Sequence, residues 1–228
     1  MKKMTGAYTL AMLLLMAASP GFCNDVEVSS SEAVIQLMPS AGVAELQTAW
    51  AQAQYPADKN SQEKDFDVLL ERANSLVQAS PADPDLYVWR GIIKASYAGV
   101  KGGLGALGLV KEAKVDLEHA IALGGGSLQA AARTSLGSLY FQVPPWPIAF
   151  GSDKKAETYL LEGLAMAPAD IDSNYFYALY LLDQREFGKA RQYLELAHAA
   201  PRRIGRAYAD QERRREVLQL ITEQQKRK

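Results

Sequence analysis

An all-α solenoid of antiparallel helix hairpins, ended by a capping helix, is the fold class that the sequence predicts. Three observations predict it. A spacing of small and large apolar residues returns at about 34-residue intervals from position 84 to position 203. Each period closes on glycine or proline, at Gly125, Pro168 and Pro201, where a helix is expected to stop. Beyond the last period, residues 210–225 form one more amphipathic stretch, with Val217, Leu218, Leu220 and Ile221 on its apolar stripe.

The first element is not part of that fold. Lys2 and Lys3 precede an apolar run at 7–18. The run is too short for a membrane span, which needs about 20 residues, and it fits the core of a signal peptide. Pro20 and Gly21 break it, and Gly21-Phe22-Cys23 is a small-x-small triplet. Residues 1–23 are therefore expected to be a signal peptide cleaved before Asn24, with 24–40 as a linker. A lipid on Cys23 is the alternative, but Pro20 and Phe22 are not the residues such a site normally carries. The expected location is the periplasm of a Gram-negative cell. A chain starting at Asn24 has no cysteine, which avoids mispairing in an oxidising compartment.

The hairpins follow in order. In 84–127, Gly91 lies on the first helix (A), and Ala113, Leu117 and Ala120 on the second (B). In 130–170, Gly137 lies within Leu136-Gly137-x2-Tyr140, followed by Ala156, Leu160 and Gly163. In 171–203, Ala178 is followed by Phe187, Ala190, Leu194 and Ala197. A degenerate hairpin is expected within 41–81, from helices at 44–54 and 66–78 joined by the polar turn 55–64. A small residue lets A and B cross closely, and large neighbours fill the groove beside it. Residues 204–228 are expected to be a capping helix with a basic tail, Asp210 serving as N-cap, because an open solenoid needs its last hairpin covered.

This spacing resembles the tetratricopeptide repeat (TPR), two antiparallel helices per repeat. The resemblance covers 84–203, and 41–81 more weakly. It implies a non-catalytic scaffold whose A helices line a concave, partner-binding groove.

Two hairpins carry extra residues in the same place. Ala178 and Ala190 are twelve apart, whereas Gly91 to Ala113 is 22 and Gly137 to Ala156 is 19. Both additions fall in the A–B turn, so stacking places them on one edge of the solenoid, where per-repeat insertions often mark a binding face. The first carries G-x-G-x-x-G at 103–108. No strand precedes it and no acid follows at the ribose-binding distance, so a dinucleotide site is excluded. It is expected to be a flexible, tightly folded glycine loop. The second, 144–151, is stiffened by Pro144, Pro145 and Pro147. Trp146 and Phe150 in it have two readings: they fold back and plug their own hairpin, or they form a rigid aromatic shelf for a peptide or apolar ligand.

Composition limits the chemistry. The 228 residues include 25 Lys+Arg, 26 Asp+Glu, two His and one Cys. A formal net charge of −1 excludes binding nucleic acid through bulk positive charge. His119 and His198 stand on B helices of different repeats without clustered ligands, so neither is a metal site. There is no G-x-S-x-G, P-loop or H-E-x-x-H. No catalytic residue, metal or cofactor is expected. The charge is polarised: residues 202–228 hold nine Lys/Arg and four Asp/Glu, whereas 24–201 hold 14 and 22. Arg213-Arg214-Arg215 and Lys226-Arg227-Lys228 are expected on a solvated helix, with anionic lipid or an acidic partner as the alternative.

The candidate partner-binding residues are Phe141, Trp146, Phe150, Asp172, Tyr175, Leu179 and Asp183. Thr134, Ser138, Gln142 and Leu182 are expected to share the groove. Tyr140, Phe176 and Tyr180 are expected in the interhelix core. A mixed aromatic and carboxylate lining suits a helix or extended segment of another envelope protein. A looser resemblance gives the alternative. Ala149-Phe150-Gly151-Ser152-Asp153, after an inserted turn, is similar to the T component of tripartite ATP-independent periplasmic transporters. That resemblance implies a transporter accessory that docks a solute-binding protein and offers an apolar small-ligand channel.

Overall fold

The computed structural model describes residues 39–226. The signal-peptide, lipid-anchor and location expectations, and all but the end of the 24–40 linker, lie outside those residues. Nine α-helices follow one another among them: α1 Ala41–Gln54, α2 Gln62–Ala79, α3 Pro84–Lys101, α4 Gly103–Leu123, α5 Gln129–Gln142, α6 Asp153–Met166, α7 Ile171–Asp183, α8 Phe187–Ala199 and α9 Ala207–Lys226. The fold is an all-α solenoid of the predicted kind. α3 packs along α4, α5 along α6 and α7 along α8; A helices also touch successive A helices, α1 on α3, α3 on α5 and α5 on α7.

Helix starts follow local chemistry. Ser40 accepts a hydrogen bond from the Val43 amide at the start of α1, and Asp83 caps α3 ahead of Pro84 in the first helical turn. Asp170 accepts from the Ser173 amide at 2.9 Å and opens α7. Asp85 of α3 reaches across to accept from the amides of Ser127 and Leu128. That fixes the entry into α5 relative to the preceding hairpin.

The small residues stand where helices cross. A Cβ added to Gly137 would lie 2.7 Å from Leu160 Cγ and 2.9 Å from the Leu160 backbone nitrogen. Both are well inside van der Waals contact, so only glycine permits this approach of α5 to α6. Ala113, Leu117, Ala120, Leu136, Ala156 and Leu160 fill one continuous core with Tyr140 and Tyr180. The first hairpin, with α3, builds a second core on Leu46, Trp50, Phe66, Trp89 and Tyr97. The last builds a third on Ile171, Tyr175, Leu194, Ala197 and Val217.

Three local expectations are corrected. The 103–108 glycine segment is not a loop: it is the first part of α4, and the A–B turn there is Gly102. Gly102 and Gly103 take positive φ, which reverses the chain within two residues. Ala106 and Leu109 then pack on the core, so apolar contact outweighs the weak helix propensity of Gly105 and Gly108. The polar turn 55–64 is shorter than expected, because a 3-10 turn at Lys59–Ser61 leads directly into α2. Asp210 is no N-cap; α9 begins at Ala207, and the carboxylate of Asp210 lies inside its first turn, receiving the Arg203 amide and guanidinium.

Candidate functional site: the concave face and the edge of inserted turns

α9 does more than cover the last hairpin. It packs on α8 and α7, and the segment leading into it reaches the first hairpin. The Tyr208 hydroxyl donates to the Tyr55 carbonyl at 2.6 Å, with the two rings edge to face. The Arg206 guanidinium lies 5.1 Å from the Trp89 ring and 5.7 Å from the Trp50 ring, within cation–π range.

An ion network holds this segment against α7. Arg203 donates to Asp172 at 2.8 Å, to Asp170 at 3.1 Å and to Asp210 through two nitrogens. Arg213 donates to the other oxygen of Asp172 at 2.9 Å and stacks 4.2 Å from the Tyr175 ring centroid. Burial would raise the Asp172 carboxyl, but the guanidiniums of Arg203, Arg213 and Arg206 outweigh it and hold the group well below the usual carboxylate range. Burial likewise opposes the charge of Arg213, and Asp172 more than restores it.

The candidate residues thus separate into two places. Asp172 and Tyr175 lie on the inner side of α7, and their partners here are this chain's own Arg203 and Arg213. Leu179 is half-buried against the same cluster as Val217 of α9. Asp183 is exposed near the end of α7. Phe141 is half-buried with its ring edge-on to Tyr180. Thr134 and Ser138 do not line an open groove; both are buried, Thr134 against Ser173 of the next repeat. Tyr140 and Tyr180 are core, as their periodicity implies, and Phe176 is half-buried.

The second inserted turn divides its two aromatics. Phe150 folds back, edge-on to Tyr140 at 5.5 Å, under the Lys114 ammonium at 5.8 Å. Trp146 points outward and is 85% exposed, next to Ile148 at 61%. The turn is closed by the Ile148 amide donating to Pro145, Gly151 to Pro144 and Ser152 to Tyr140. Leu104 at the start of α4 is 88% exposed.

Sequence reasoning missed Trp50, Tyr55, Trp89, Arg203, Arg206 and Tyr208. Two signals were available. Arg206, Asp210, Arg213 and Val217 recur at four- and three-residue steps, one face of a helix. The basic tail and acidic body also have opposite charge, and the acidic partner of Arg213 is Asp172 in the same chain. His119 and His198 are not buried in the core; His119 stacks edge-on with Tyr87.

No family model matches the chain, and no curated protein matches it. Among solved structures, the chain is similar to a thermophilic TPR protein from Thermus thermophilus, with a TM-score of 0.51 and 16% identity over 73% of this chain and 84% of that one. At that identity the likeness is one of fold.

Proposed function

We propose that this protein is a non-catalytic scaffold, exported to the periplasm, that holds another envelope protein on the edge that carries its inserted A–B turn at 144–151. The observation that carries the reading is Trp146, a large aromatic 85% exposed on a turn stiffened by three prolines. Exposed aromatics on rigid elements are the usual anchors of protein interfaces. Ile148, 61% exposed in the same turn, widens the apolar surface. The TPR-like fold supports a protein partner. The concave groove beside α7 is filled by α9, so groove binding there would require α9 to leave. The edge also suits the transporter-accessory role that the 149–153 resemblance implies, the partner then being a solute-binding protein.

The test is affinity capture from a periplasmic extract with three baits: wild type, the Trp146→Ser/Ile148→Ser double variant, and Leu218→Ser as an exposed apolar control away from the edge. The partner should be lost with the double variant alone. Identical capture by all three would contradict the assignment. N-terminal sequencing of protein recovered from that extract should begin at Asn24; a blocked, lipid-bearing Cys23 would move the protein to a membrane face.

A further inference from the structure

Between α1 and the start of α9 lies a recess of about 350 Å³, walled by Ala51, Tyr55 and Pro56 on one side and by Arg206 and Tyr208 on the other. Arg206 is the unusual group in it. Its side chain is only 13% exposed, yet it donates no side-chain hydrogen bond among the described residues. Its Nε, the Trp89 Nε1 and the Tyr55 hydroxyl are all buried without a partner. The nearest acid oxygen, on Asp172, stays 3.9 Å away, and that carboxylate already receives Arg203 and Arg213.

A structural role accounts for Arg203 and Arg213, which tie the segment to α7 through Asp170, Asp172 and Asp210. Cation–π contact with Trp89 and Trp50 accounts for part of the third guanidinium, but it leaves the buried Nε without an acceptor. Burial, followed by repulsion from Arg203, lowers the basicity of Arg206, as expected for a buried cation short of a counter-anion.

We propose that this recess binds a small organic carboxylate, which forks onto the Arg206 guanidinium while a flat apolar body lies against Ala51, Pro56 and the Tyr208 ring. The planar guanidinium matches a carboxylate through two parallel hydrogen bonds. The aromatic and proline walls suit a single ring, and the volume is at the small end of ligand pockets. The site is separate from the edge carrying Trp146, so it stands whether or not that edge holds a partner.

Benzoate is the probe. It is titrated at constant ionic strength into the purified protein, with calorimetry and tryptophan fluorescence as readouts, since Trp50 and Trp89 flank Arg206. Saturable binding is expected. Benzamide, of the same shape without the charge, should bind at least about tenfold more weakly, and Arg206→Gln should lose benzoate by a similar factor. Thr48→Phe, at an exposed position lining the recess, adds bulk there while keeping Arg206, and should weaken benzoate even if Arg206→Gln fails to fold. Absence of a saturable benzoate signal, equal binding of benzamide, unchanged binding in Thr48→Phe, or inorganic phosphate binding as tightly as benzoate would each overturn the proposal.

Discussion

Asp172 shows how one residue can hold distant parts of the chain together. It receives Arg203 from the segment before α9 and Arg213 from within it, so replacing it leaves the buried Arg213 and the half-buried Arg203 each short of an acceptor. Asp172→Asn should lower stability by about 3 kcal/mol near neutral pH, the usual effect of breaking a buried pair, read by urea unfolding. The pH dependence has a definite sign. The folded carboxyl lies below its unfolded value of about 3.9, so its contribution is complete above that pH and is lost as pH falls toward the folded value. The gap between wild type and Asp172→Asn should therefore narrow below about pH 4; a gap independent of pH would contradict the ion-pair account. Gly137 gives a second residue-scale expectation. Gly137→Ala places a methyl group against Leu160 side chain and backbone and should cost about 1–3 kcal/mol in thermal or urea melts, although alanine is the better helix former.

At the scale of elements, the hairpins were legible because close helix crossings demand small residues, and Gly91, Gly137, Ala178 and their partners carry that demand openly. The glycine-rich start of α4 was not, because Gly102 alone makes the turn while Ala106 and Leu109 pull their neighbours into helix by packing. Phe150 and Trp146 read alike as sequence; which one folds back depends on Tyr140 and Lys114, contributed by two other helices. The inward face of α9 was hidden for a different reason. Arginines at four- and three-residue steps resemble a solvated stripe until the acids that receive them are placed. α9 should behave as a separable clamp. Val217 is fully buried between α9, α7 and α8, so Val217→Asp puts a charge in that contact. Hydrogen exchange should then rise in α7 and near Tyr55 at the end of α1, with α5 and α6 little changed. A uniform rise through all helices would show that α9 is part of one cooperative unit instead.

For residues 39–226 as a whole, the solenoid is closed on its inner side and decorated on its edge. α9 and the residues just before it lie along that inner side, from Tyr175 on the last A helix to Trp50 and Trp89 in the first core. Large apolar residues left outward at or next to A–B turns include Leu104, Trp146, Ile148 and Phe187. The candidate set read from sequence thus mixed two surfaces, Asp172 and Tyr175 serving closure and Trp146 standing free. In the proposed function a partner is held on the edge rather than in the groove. The most direct measurement is photo-crosslinking in living cells, with a photoreactive phenylalanine placed at Trp146 in one strain and at Leu179, on the groove side, in another. A discrete crosslinked species is expected from position 146 and none above background from 179; a product from 179 with none from 146 would contradict edge binding.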